Sequence, residues 1–160
     1  MKLKHKLIAT IATLFIFIFP EPVTADTVTR LYHFSYTDYG REYLDYTEFK
    51  FYSRFLPEEQ AFIMFYTLFG NYSDYYFVPS DVRIIDVHEL RGNLYLNVSG
   101  DIKNYNMSSS YELRLAAQII KTALSIEGID TVTLLIHGFE EHLPKGTFIN
   151  PSVQISKKSI

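Results

Sequence analysis

The segment from residue 91 to residue 146 constrains the fold most strongly, because three local patterns in it predict one compact unit. The first pattern is a tight turn at Gly92-Asn93, which is followed by a strand-like run. In that run, Leu94, Leu96 and Val98 alternate with Tyr95 and Asn97. Such alternation is typical of a strand with one buried face. We therefore predict a β-hairpin that joins residues 82–87 to residues 94–98.

The second pattern predicts a helix. Ser109 and Glu112 have the spacing of a capping box, in which the serine accepts a backbone N–H three residues on and the glutamate reaches back. Gly128 can end the helix through a left-handed cap. Apolar residues recur at helical spacing between these ends and predict one buried stripe: Leu113, Ala117, Ile120 and Leu124.

The first half of the chain predicts another hairpin. Residues 28–36 alternate, with Leu31 and His33 on one face, and residues 37–40 form a turn. The return strand then changes phase between Tyr46 and Phe49, which suggests a β-bulge.

A short helix follows this hairpin. Pro57 suits a first helical turn, and Glu58 and Glu59 suit the positive end of the helix dipole. Residues 61–69 are apolar nearly all round, so we expect this helix to be deeply packed and to end at Gly70.

The third pattern of the segment 91–146 completes the predicted fold with a central strand. Residues 131–136 are rich in β-branched side chains, which favour strands. The whole pattern predicts an α+β fold, a mostly antiparallel sheet with two helices packed on one face, in the order ββαββαβ. The single domain would span residues 26–150. Residues 151–160 would form a tail that either adds an edge strand from Val153 or is disordered.

Residues 1–25 have the pattern of a signal peptide. Three lysines precede an apolar run from Leu7 to Phe19, and the small residues that a signal peptidase reads end at Ala25. The run is short for a membrane span, which needs roughly twenty residues. We expect cleavage after Ala25 and a secreted or cell-surface protein, with retention as a membrane anchor as the alternative.

Charge and cysteine content exclude several classes of partner. Residues 1–25 hold three of the 15 basic residues and one of the 18 acidic ones, so the mature chain would have a net charge near −5. This charge argues against nucleic acid and anionic lipid as partners. The chain has no cysteine, which excludes disulfides and a lipid-accepting cysteine, and it fits a Gram-positive surface protein.

The titratable residues predict no catalytic, cofactor-binding or metal site. His137 and His142 flank Glu140 and Glu141, but the spacing is not that of a helical zinc site, and the stretch follows a strand. We interpret it as a solvated acidic loop. Nothing places two carboxylates opposite each other, as hydrolysis of a glycan would require. We therefore predict that the protein is not an enzyme and uses no cofactor.

Tyrosines suggest an interaction surface. Ten of the thirteen lie between Tyr32 and Tyr76, and tyrosine suits interfaces because it offers a large apolar area with a polar tip. We single out Tyr39 and Tyr75 as candidate contact residues. The alternative is compositional, because an AT-rich genome enriches the same residue types.

Residues 91–99, 111–124, 129–138 and 143–146 resemble the GerMN domain family of sporulation and germination proteins. The family pattern is a Gly-centred hairpin, a helix with an early acid and a central Gln, a strand that ends in Asp-Gly, and Leu-Pro-x-Gly. Here Glu112 and Gln118 match the helix, Gly138 matches the strand end, and His137 stands where the family usually has Asp. The resemblance covers roughly Val28 to Phe148 in a single copy.

The resemblance implies a function without catalysis. It implies an exported protein that supports assembly of a membrane or cell-surface protein complex, in sporulation or spore germination. Two alternatives stay open: a peptidoglycan-binding module whose tyrosines stack on sugars, and a hydrolase that acts on the cell wall.

Overall fold

The computed structural model describes residues 25–52, 54–71, 78–79, 81–104 and 108–151. Its elements, in chain order, are β1 (Ala25–Tyr36), β2 (Glu42–Tyr52), α1 (Pro57–Asn71), β3 (Ile84–Leu90), β4 (Asn93–Val98), a 3₁₀ turn (Gly100–Lys103), α2 (Ser109–Leu124), β5 (Thr131–Ile136) and β6 (Phe139–Glu140). The predicted signal peptide and tail lie outside the described residues, except for Ala25 and Pro151.

The α+β class is confirmed, and the order of elements agrees with the predicted one except for an additional short strand, β6. The strands divide between two sheets, whereas a single sheet was predicted. β1 and β2 form an antiparallel two-stranded sheet, and the other strands form a four-stranded sheet in the order β3-β4-β5-β6. Only β4 and β5 run parallel within that sheet, because α2 connects them as a crossover. α1 packs against β3, α2 packs against β5, and the two helices contact each other.

The predicted hairpin at Gly92 forms the centre of the larger sheet. Arg91 and Gly92 both have positive φ, at 54° and 79°, which gives the tight two-residue turn its twist. The side chains of Leu94, Leu96 and Val98 are fully buried, whereas Tyr95 and Asn97 are half-buried. The predicted alternation is therefore confirmed.

The hairpin of β1 and β2 also forms as predicted, but the bulge between Tyr46 and Phe49 is wrong. The two strands pair in step from Thr27 to Tyr36, and the register shifts only between Ala25 and Thr27. Tyr46 pairs with Tyr32 on one face of the hairpin, and Phe49 pairs with Thr29 on the other. Apolar side chains lie on both faces, and this produces the apparent change of phase.

The two helices depart from the predicted burial. α1 begins at Pro57 as expected, but Phe62 and Tyr66 are exposed by 47% and 68%. In α2, the predicted stripe is wrong at Leu113, which is 61% exposed, whereas Leu124 is buried and Ile120 packs partly against the core. The side chains that α2 buries instead include Leu115, Ala116, Ile119, Ala123 and three polar residues, Glu112, Gln118 and Thr122.

Candidate interaction surfaces

Glu112 has a structural role that differs from the predicted one. The residue at the N-cap of α2 is Ser108, its side chain makes no capping hydrogen bond, and the predicted capping box is wrong. The fully buried carboxylate of Glu112 accepts the backbone N–H groups of Lys145 at 2.6 Å and Thr147 at 2.7 Å. The early acid of the family pattern thus holds the Leu-Pro-Lys-Gly loop against α2.

Two polar side chains of α2 and one at its C-cap hold the outer edge of β1. Gln118, Thr122 and Ser125 accept the backbone N–H groups of Phe34, Tyr32 and Arg30, at 3.3, 3.0 and 2.9 Å respectively. The spacing fits, because three or four helical residues rise about 4.5–6 Å and two strand residues rise about 6.6 Å. The edge of β1 that does not face β2 is therefore hydrogen-bonded within the domain.

Side chains of the acidic loop at residues 140–142 each contact a different part of the domain. Glu141 forms an ion pair with Lys103, and His142 Nδ1 lies 3.1 Å from the carbonyl oxygen of Gly146. His137 Nε2 accepts the N–H of Gly100 at 2.9 Å. Within the described part of the chain, no three His, Asp or Glu side chains lie close enough together to hold a metal ion.

Of the two candidate tyrosines, the structure describes only Tyr39. Tyr39 lies at the turn between β1 and β2 and is 93% exposed, so its side chain is available for contact. Tyr75 lies outside the described residues. That either tyrosine binds a partner stays a prediction.

Further aromatic side chains lie on the outer face of the β1–β2 hairpin. The rings of Tyr32 and Tyr46 lie 5.8 Å apart, and the guanidinium of Arg30 lies 4.6 Å from the Tyr46 ring centre. Partial desolvation, and next the hydrogen bond to Glu42, raise the pKa of the Tyr36 phenol above its ordinary value. The raised pKa means that the Tyr36 phenol is not activated, and the same face presents the cation–π pair of Arg30 with Tyr46.

A groove between α1 and β3 is a second apolar feature of the described surface. Two contiguous depressions of about 370 and 340 Å³ share Phe62. The rings of Phe62 and Tyr66 stack at 6.1 Å on α1, and Ile85 of β3 is 51% exposed opposite them. We call this feature the α1–β3 groove, and it is lined by Phe55, Phe62, Ile63, Tyr66, Ile85 and Val87.

β3 is also an edge strand. Leu90 pairs with Asn93 across the two-residue turn, so antiparallel alternation points the backbone groups of Val87 and Glu89 away from β4. No described strand pairs with β3 on that side. The α1–β3 groove therefore runs beside backbone N–H and C=O groups that can pair with another chain.

Sequence reasoning missed this groove. The nearly uniform apolarity of α1 predicted burial, but a helix packed against an edge strand covers only part of its circumference. The one available signal was the surplus of apolar residues on α1, which exceeds what a single buried face requires.

Known proteins match this chain both in sequence and in fold. The sequence model of the Germane family, described as sporulation and spore germination, matches residues 31–142. The first GerMN domain of the sporulation protein GerM from Bacillus subtilis matches with a TM-score of 0.59 and 22% identity, over 83% of this chain and 99% of that domain. None of the curated proteins matches the chain.

Two further structures are similar. The tandem GerMN domains of the same B. subtilis protein match with a TM-score of 0.59 and 22% identity, over 83% of this chain and 47% of that one. A presumptive lipoprotein from Clostridium perfringens matches with a TM-score of 0.54 and 18% identity, over 88% of this chain and 94% of that one.

The fold and the motif residues define a GerMN-type domain. Glu112 and Gln118, which carried the resemblance, both hold backbone segments of this domain in place. Since the family model covers well over half of the sequence, the chain belongs to the Germane family of sporulation and spore germination proteins. Neither described helix has the length and apolar content needed to cross a membrane.

Proposed function

We propose that this protein is exported and acts without catalysis, as a component of a protein assembly on the outer side of the cytoplasmic membrane during sporulation or spore germination. Family membership supports the sporulation or germination role. The signal-peptide pattern of residues 1–25 supports export. The similar lipoprotein from C. perfringens also supports a location at the cell surface.

The observation that carries the assembly role is the α1–β3 groove. It places exposed side chains of Phe62, Tyr66 and Ile85 beside an edge strand. Aromatic residues of this kind dominate the binding energy of many protein interfaces. The titratable side chains near residue 140, by contrast, are occupied by pairwise contacts within the domain.

The test is complementation in the native host. We expect the double variant Phe62→Ser/Tyr66→Ser to be exported at the normal level and to lower spore yield or germination. Leu113→Ser is the matched control, because this residue is equally exposed but lies on α2. Normal sporulation and germination with the double variant would contradict an assembly role for the groove.

Peptidoglycan binding is the second candidate, and the exposure of Tyr39 favours it. Tyrosine rings stack on sugars through the same apolar faces that they present to proteins. Under this alternative, we expect the wild-type protein to sediment together with purified cell wall and the Tyr39→Ser variant to remain in solution. Release of soluble wall fragments by the purified protein would instead indicate a hydrolase.

Export makes a separate prediction. Cleavage after Ala25 leaves Asp26 at the N-terminus of the exported protein. Mass spectrometry of the protein recovered outside the cytoplasm measures this end directly. An intact Met1 end would show that the apolar run from Leu7 to Phe19 is kept as a membrane anchor.

A further inference from the structure

We propose that the α1–β3 groove binds residues 152–160 of a second copy of this chain, as a strand added to the open edge of β3. This inference rests on the proposed assembly role and names the partner of that surface. It combines three observations: the pairing capacity of β3, the charge around the groove, and the place where the described chain ends.

The first observation concerns the backbone. Val87 and Glu89 point their N–H and C=O groups away from β4, next to an apolar groove. A ligand that uses both features needs an extended backbone with apolar side chains at alternate positions. The tail has this pattern, because Val153 and Ile155 are separated by Gln154.

The second observation concerns charge. α1 and β3 contain no Lys or Arg, whereas they contain Glu58, Glu59, Asp86 and Glu89. Three of these acids line the groove, and Arg83 lines its opposite end. The tail 152–160 contains Lys157 and Lys158 and no acid. Its charge is therefore complementary to the acidic end of the groove.

The direction of the tail follows from this charge. α1 runs antiparallel to β3, since Gly70 lies near Arg83 and Glu58 lies near Val87. A tail that runs in the direction of β3 places Val153 and Ile155 before the lysines. Lys157 and Lys158 then lie beside Glu58, Glu59 and Asp86.

The third observation shows why the tail must come from another molecule. The N–H of Leu134 donates to the carbonyl oxygen of Ile149 at 2.9 Å, so the chain leaves the domain on the β6 side of β5. From there to the open side of β3 is four strand spacings, about 19 Å. The four Cα-to-Cα steps from Ile149 to Val153 span at most about 14 Å.

The resulting contact is head to tail. One copy supplies its groove, the next supplies its tail, and each copy keeps one free groove or tail for a further neighbour. Its strength would come from two apolar side chains, a few backbone hydrogen bonds and two ion pairs. We therefore expect reversible self-association that depends on concentration and weakens with salt.

Sedimentation of the chain from Asp26 onward tests the proposal. We expect self-association that falls at least about tenfold in the tail variant Val153→Asp/Ile155→Asp and in the groove variant Ile85→Asp. A tenfold fall corresponds to about 1.4 kcal/mol. An equimolar mixture of these two variants should form dimers but nothing larger, because one intact groove then meets one intact tail.

Charge-reversal variants test the proposed ion pairs between the tail and the groove. Lys157→Glu/Lys158→Glu should weaken association, and Glu58→Lys/Glu59→Lys in the second copy should restore it. Backbone amide spectra of each variant report whether the domain is folded. Titration of the folded tail variant with a synthetic peptide of residues 150–160 should shift the amide signals of β3.

Three results would overturn the proposal. They are a monomer at all concentrations, equal association of all variants, and a tail variant that unfolds at lower temperature without any change in association. The last result would mean that the tail packs on its own domain. A complementation defect in Phe62→Ser/Tyr66→Ser with normal function of the tail variant would keep the assembly role and reject this partner.

Discussion

β1 and β3 are both strands at the edge of a sheet, yet the chain treats the two edges differently. Backbone N–H groups of β1 donate to Gln118 and Thr122 of α2 and to Ser125 at its C-cap, so that edge is closed by the domain itself. The outer edge of β3 faces no described strand and borders an apolar groove. Since proteins generally protect open edges, an edge that no described strand covers, beside apolar side chains, is the surface that we propose for a partner.

The largest expected effect on stability is at Glu112, which holds the loop of Lys145 and Thr147 against α2. Glu112→Ala removes the acceptor of two backbone N–H groups and should lower the free energy of unfolding by about 2–6 kcal/mol. Denaturant unfolding measures this loss. Glu127→Ala is the control, because Glu127 is exposed just beyond α2, and it should change stability by less than about 0.5 kcal/mol.

The next effect tests which face of α2 is buried. Leu115→Ala removes a fully buried side chain and should lower the free energy of unfolding by about 2–5 kcal/mol. Leu113→Ala, two residues away on the exposed side, should cost less than about 0.5 kcal/mol. If the two variants lose the same unfolding free energy, Leu113 is buried, as the sequence predicted.

A smaller effect isolates the closed edge of β1. Thr122→Val keeps the shape of the side chain but leaves the Tyr32 N–H without its acceptor, at a cost of about 1–3 kcal/mol. Thr67→Val is matched, since the Thr67 hydroxyl only donates to the carbonyl of Ile63 within α1. If both variants lose the same stability, the hydrogen bond from Tyr32 to Thr122 does not contribute to closing the outer edge of β1.

The smallest effect on stability is expected at the open edge. Phe62→Ser and Ile85→Ser replace side chains that are about half exposed, and each should lower the free energy of unfolding by only about 1 kcal/mol. Their effect on partner capture should be much larger. A loss of several kcal/mol in unfolding would show that these side chains belong to the core.

Local patterns in the sequence predicted the elements well, because their causes are local. Pro57 begins α1, and Gly92 permits the positive φ of the β3–β4 turn. The buried face of α2 could not be predicted in this way. Glu112, Gln118 and Thr122 are polar residues on that face, and their partners lie more than 30 residues away in the sequence.

The candidate site was predicted only in part for the same reason. The exposure of Tyr39 follows from its place in a turn, which local sequence reveals. The α1–β3 groove depends on which strand ends the sheet and how α1 lies beside it. Strand order and helix placement are set by the whole fold, so apolar residues such as Phe62 were assigned to the core.

Hydrogen exchange of individual backbone amides tests the difference between the two edges most directly. In dilute protein, the account predicts slow exchange at Tyr32 and Phe34 and fast exchange at Val87 and Glu89. At high concentration, the amides of Val87 and Glu89 should become protected while those of β1 stay unchanged. Equal protection of the two edges in dilute protein, or no change at β3 on association, would contradict the account.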